Sequence, residues 1–203
     1  MNDLQKDLGR VLVVGGVLLI VLNAVFTPLM PYEASEQELR SSWPYLVRLS
    51  LAVLAAMCYV LGAVGVRMAQ NSGARAFDRL AFWVAVTGSS LLIGLEWANV
   101  FVLRPLAQAA PDALTPLGEV SLYGIGSAAA ASLYALGWIL IAVSVWRTRV
   151  APRWVPLTIA AGFVATAALG ATAGVWGMIA GSVVIGVGLV GLGLAVSRVE
   201  VSP

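Results

Sequence analysis

The chain has no histidine and a single cysteine, Cys58, among its 203 residues. Those two shortages exclude His-ligated haem, zinc sites of Cys and His, Ser-His and Cys-His nucleophiles, and a disulfide within the chain. Charge is scarce too, with 11% Asp, Glu, Lys and Arg against about 25% in a soluble domain. What replaces it is apolar: 60% of residues are hydrophobic and the mean hydropathy is +0.92. This is the composition of an integral membrane protein. A net charge of +2 gives no footprint for nucleic acid, and no residue pattern calls for a metal or cofactor.

A spanning helix needs about 20 apolar residues. Six such stretches are expected, near 9–30, 44–66, 79–103, 116–146, 154–171 and 174–197. Pro44, Pro116 and Pro156 sit where a first helical turn would begin, the position at which the missing N–H of proline is tolerated. The intervening loops are short, so residues 1–203 are expected to form a single all-α transmembrane bundle. A charged start before Val11–Val21 resembles a signal peptide, but the run is long and favours a retained span.

Basic residues gather on the cytoplasmic side of short loops. Lys6, Arg10, Arg67, Arg75, Arg79, Arg147, Arg149, Arg153 and Arg198 all fall on one side, whereas Arg40 and Arg104 fall on the other. Both termini are therefore expected to be cytoplasmic, in the inner membrane of a prokaryote. The outer loop at 31–42 is acidic, and Ser35-Glu36-Gln37-Glu38 has the form of a capping box. Trp43, Trp146, Trp154 and Trp176 fall near span ends, as interfacial anchors do.

Membrane helices associate through small and polar residues. The second span carries Tyr45, Arg48, Ala52, Ala55, Tyr59 and Gly62 on one stripe, and the fourth carries Glu119, Tyr123, Ser127, Ala130, Tyr134 and Gly137. Both are expected to face the bundle interior. The sixth span presents Gly174, Gly177, Gly181, Gly188 and Gly191, and the fifth Ala161, Ala165, Ala168 and Thr172. A tight hairpin packed through these two faces is the expectation.

Charge inside a span is costly, about 2.5–3.5 kcal/mol at the centre. Arg48 and Glu96 are placed by spacing in the outer half of the membrane, together with Asn23, Asn99, Glu119, Tyr123 and Tyr45, with Trp97 adjoining. Two arrangements follow: a structural Arg48–Glu96 ion pair, or a polar pocket in which Arg48 meets a ligand's charge, Glu96 orients Arg48, and Tyr59, Trp97 and Tyr134 line the apolar part. The pocket suits a lipid-like or other hydrophobic molecule. The chain then binds membrane lipid, with partner membrane subunits or a second copy as companions. A small secondary transporter is one alternative, although no inverted repeat is visible. An intramembrane acid–base enzyme acting on a lipid or isoprenoid is another, with Glu96, Glu119 and Tyr123 as its catalytic groups.

The segment from Leu136-Gly137-Trp138 to Trp146-Arg147-Thr148-Arg149-Val150-Ala151-Pro152-Arg153-Trp154 resembles a feature of small, uncharacterised prokaryotic multispanning proteins. In these a helix ends in Arg-x-Arg and Pro-Arg-Trp opens the next. The resemblance implies a prokaryotic polytopic membrane protein and no particular activity.

Overall fold

A computed structural model describes residues 3–70, 75–110 and 121–198. Every regular element among them is helical. Helix α1 (Asp3–Val21) continues through a π-helical segment, Leu22–Phe26, and a 3-10 turn, Thr27–Leu29. The short α2 (Glu36–Ser41) follows, then α3 (Trp43–Ala69) and α4 (Ala76–Ala98). A second π-helical segment, Asn99–Leu103, leads into α5 (Arg104–Ala109), and α6 (Leu122–Thr148) and α7 (Trp154–Arg198) complete the chain. Five continuous helical stretches are long and apolar enough to cross a membrane: Asp3–Leu29, Trp43–Ala69, Ala76–Ala109, Leu122–Thr148 and Trp154–Arg198. The chain is thus a multi-pass helical bundle in composition and length.

The helix boundaries follow local chemistry. Ser35 and Glu38 close the capping box of α2 reciprocally. Ser42 caps α3 through the Tyr45 amide, with Pro44 in the first turn. Helix α6 begins at Leu122, where Ser121 accepts from the Gly124 amide at 3.0 Å, and the expected start at Pro116 lies outside the described residues. Arg149, in the left-handed conformation with φ 55°, ends α6. The expected stripes on the second and fourth spans point inward: Ala52, Ala55, Tyr59, Gly62, Ala130 and Gly137 are all buried.

At 45 residues α7 would measure about 67 Å if straight, more than twice a hydrocarbon core of about 30 Å. It is not straight. Gly174 takes φ 59° and ψ −136°, a conformation open to glycine and strained for other residues, and the chain folds back there. A Cβ on Gly162 would meet the Ile185 backbone at 2.7 Å, and one on Gly188 the Ile159 backbone at 3.0 Å. Gly177 and Gly181 press on Leu169 and Thr166 in the same way. The two halves therefore run antiparallel with backbones in near contact, which is how small residues associate helices in lipid.

Two expectations for this hairpin need correction. Gly174 makes the turn and packs on nothing, since a Cβ there has no atom within 4 Å. On the first half, Ala161, Ala168 and Thr172 are exposed while Ile159, Gly162 and Phe163 are buried. The alanine stripe and the buried stripe both have helical spacing, and nothing in an all-apolar helix distinguishes the lipid face from the packed one.

Glycines also set the remaining contacts. Gly16 and Gly186 face each other across α1 and the second half of α7, where a Cβ on Gly16 would lie 2.8 Å from the Gly186 carbonyl oxygen. Gly88 of α4 lies against the Leu133 and Tyr134 backbone of α6, 2.5 Å from where its Cβ would be. Gln5 donates to the Val196 carbonyl at 3.2 Å, so the first and last described helical turns meet at one end. Asp78 is buried at the start of α4 and accepts the Ser144 hydroxyl at 2.6 Å. Gln70 Nε2 in turn donates to Ser144 Oγ at 2.8 Å.

Candidate functional site

Polar side chains from α1, α2, α3, α4 and α6 converge at the end of the bundle opposite the Gln5–Val196 contact. Two helices change geometry as they reach it: the π-helical segment after α1 contains Asn23, and the one after α4 begins at Asn99. A π turn leaves backbone carbonyls out of the regular ladder, and such turns recur at functional sites. The Leu22 carbonyl accepts the Thr27 backbone N–H in the π pattern, and side chains add to this bonding. Thr27 donates its hydroxyl to the Leu22 carbonyl five residues earlier at 3.1 Å, and Asn23 Nδ2 donates to the Leu19 carbonyl at 3.0 Å.

Arg48 reaches this wall from α3. Its Nε donates to Thr27 Oγ1 at 2.8 Å and its Nη2 to Asn23 Oδ1 at 3.4 Å. Both acceptors are neutral. The ion pairs found among the described residues are Arg10–Asp7 and Arg40–Glu36, so no Arg48–Glu96 bridge forms. Glu96 nonetheless lies close enough to feel the Arg48 charge and the Asn99 side chain. Its Oε2 is buried without a hydrogen-bond partner among the described residues. Arg48 and Glu96 thus make no direct bond to each other among the described contacts, and each keeps bonding capacity to spare.

A second cation organises the top of the site, one that sequence reasoning places in the outer loop and not among the site residues. Arg40 of α2 folds inward until its side chain is only 12% exposed. It binds Glu36 Oε1 through Nη2 at 2.7 Å and through Nε at 3.0 Å, and its Nη1 donates to Tyr45 Oη at 3.0 Å and to Asn99 Oδ1 at 3.4 Å. Tyr123 Oη donates to the same Asn99 oxygen at 2.6 Å. Burial works against the Arg40 charge, but the Glu36 hydrogen bond and field more than offset it, and its pKa lies above the ordinary value. Arg104 closes the rim by donating to the Ser41 carbonyl at 3.3 Å, with its Nε buried and unpartnered among the described residues.

The remaining expected residues divide. Tyr59 and Tyr134 pack deeper, with ring centroids 5.7 Å apart, and continue onto Trp138 at 5.9 Å and Phe163 at 5.5 Å. Tyr59 donates to the Gly15 carbonyl at 3.3 Å. These rings pack on one another in the buried core, an aromatic floor in which the Tyr134 hydroxyl is buried and unpartnered among the described residues. Trp97 does not face the cluster; it is 51% exposed and stacks on Phe101 at 5.0 Å on the outer surface of the bundle. Glu119 lies outside the described residues. Among those residues no group of three or more His, Cys, Asp or Glu could hold a metal.

Sequence reasoning also missed Thr27, which binds Arg48, and the Asp78–Ser144–Gln70 chain at the other end. Thr27 precedes Pro28 near the end of the first expected span, where nothing in the sequence singles it out. Its role comes from the π segment, for which the sequence carries no cue.

No protein-family model, curated protein or solved structure matches this chain.

Proposed function

We propose that the chain is a prokaryotic inner-membrane protein with six crossings and both ends in the cytoplasm, which holds the polar head of a lipid-like molecule in the outer half of the bundle. Six crossings follow from counting the two antiparallel halves of α7 separately. The orientation is supported by the nine basic residues, Lys6 to Arg198, that fall on one side of the expected spans. The single observation that carries the function is the open relationship of Arg48 and Glu96. Among the described residues Arg48 has neutral partners only, and Glu96 Oε2 is buried with no donor.

A ligand that presents an anionic group to Arg48 and an O–H or N–H donor to Glu96 satisfies both charges at once. A phosphate ester bearing an alcohol or amine has that chemistry. The aromatic floor of Tyr59, Tyr134 and Phe163 suits its apolar part. In this reading Arg40 and Tyr123 hold Asn99 in place above the ligand. The role is binding, as a lipid-handling protein or an accessory subunit of a membrane complex.

An intramembrane acid–base reaction is the second reading, favoured by one observation: Glu96 is not locked in a salt bridge, so its carboxyl is free to take or give a proton. Native mass spectrometry of gently extracted protein tests both. Wild type should carry one co-purifying amphiphile, and Arg48→Ala and Glu96→Gln should lose it while remaining folded. A ligand-free wild type would reject the binding role. Turnover of the bound species that stops in Glu96→Gln would favour the enzyme.

A further inference from the structure

A groove of about 730 Å³ opens far from the polar cluster, at the end of the bundle where Gln5 meets Val196. Its long wall is the second half of α7, from Val187 to Arg198, and Val17 and Ile20 of α1 close its deep end. Trp154 and Pro152, from the turn between α6 and α7, wall the mouth. All of these side chains are apolar except Arg198, which stands at the mouth. Eleven helical residues separate Val187 from Arg198, a rise of about 16 Å. Half of a hydrocarbon core of about 30 Å is one leaflet. The groove thus has the length of a single acyl layer and a guanidinium where that layer meets its headgroups.

Basic residues gather around the mouth. Arg149 and Arg153 flank the lining residues Val150 and Pro152, and Arg153 is fixed over the Trp146 ring at 5.5 Å. Neither ion pair among the described residues involves Arg198. Basic pockets between helices at this level of a membrane select anionic headgroups.

We propose that this groove is a site for one anionic phospholipid of the leaflet on the side of the chain ends, with an acyl chain along Val187–Leu194 and its phosphate on Arg198. The site shares no residue with the Arg48–Glu96 cluster and does not depend on it. Its occupant covers the seam between α1 and the second half of α7, so the lipid also holds these two helices together.

The test is native mass spectrometry of the full chain in detergent, titrated with phosphatidylglycerol or phosphatidylcholine of the same acyl chains. Wild type should retain one phosphatidylglycerol under activation that strips phosphatidylcholine. Arg198→Gln should weaken phosphatidylglycerol about fivefold, the loss expected for one basic residue at an anionic surface, with phosphatidylcholine unchanged. Arg198→Lys should keep the preference, and Val187→Phe, which fills the exposed deep part of the groove, should weaken both lipids. All of these comparisons, with wild type meaning the unaltered groove, are made in an Arg48→Ala background, which removes the outer site's own claim on a phosphate ester, so that the retained phosphatidylglycerol reports the groove alone. Equal retention of the two lipids by wild type, or an unaltered preference in Arg198→Gln, would overturn the proposal. Displacement by soluble glycerol phosphate would overturn the acyl part.

Discussion

The Nε of Arg48 donates to Thr27 Oγ1 at 2.8 Å, joining α3 to the end of the first membrane helix just after that helix has passed through a π-helical segment. The hydroxyl also donates to the Leu22 carbonyl, which already accepts the Thr27 backbone N–H, so one threonine ties the π-helical segment to a guanidinium. Thr27→Val removes both bonds and leaves Arg48 Nε without its acceptor. The expected cost is about 1–3 kcal/mol, read as a lowered Tm in detergent. Thr27→Ser should keep the bonds and most of the stability.

Gly174 and Gly94 make a controlled pair. A Cβ meets nothing within 4 Å at either, but only Gly174 has positive φ. Gly174→Ala should destabilise by about 1–3 kcal/mol from backbone strain alone. Gly94→Ala lies in a regular helix and should be neutral or stabilising by up to about 1 kcal/mol. Gly88→Ala, against the α6 backbone, should cost about 1–3 kcal/mol or more as overpacking. Thermal unfolding of the three variants gives the order.

At the opposite end, Ser144 donates to Asp78 and accepts from Gln70. Ser144→Ala strips a buried carboxylate of that donor and leaves two polar groups unpaired, with an expected loss of about 1–3 kcal/mol. Replacing Asp78 by Asn in the same background should recover part of it, because the charge is what makes the unmade bond expensive. A double-mutant cycle on Tm measures the coupling.

Arg40 holds Tyr45 and Asn99 from the loop side. Its pKa is raised, so the stability that its charge contributes is present at every pH below the ordinary arginine value and is lost only above it. The difference in Tm between wild type and Arg40→Ala should accordingly stay constant from about pH 6 to pH 10, well clear of the usual carboxylate range. A difference that faded within that window would contradict the assignment.

Topology is checked by labelling in a Cys58→Ala background. Gln37→Cys should react with an impermeant maleimide from outside intact cells, and Arg149→Cys only after permeabilisation. The reverse pattern would invert the orientation drawn from the basic residues.

The bundle was legible in the sequence to different depths. Hydropathy finds each membrane-length segment, and polar or small residues at helical spacing find the inward faces of α3 and α6, because Tyr45, Arg48 and Tyr59 contrast with their neighbours. That contrast vanishes in the fifth stretch, where Ala161 and Gly162 are equally small, and the stripe was placed on the lipid side. The gathering of Asn23, Arg48, Glu96 and Asn99 at one depth follows from counting residues. The bonds among them do not. They depend on two π-helical segments, each shifting its side chains relative to an ideal helix, and on Arg40 reaching back from a surface helix.

The central claim is that Arg48 and Glu96 face a ligand between them. The most direct measurement is an experimental structure of the full chain in a lipid nanodisc, at a resolution that shows headgroups. The account predicts density in contact with both the Arg48 guanidinium and Glu96 Oε2, with the Thr27–Arg48 bond retained. Closure of Arg48 onto Glu96 as a direct ion pair, with no density between them, would contradict it and leave the cluster a structural lock.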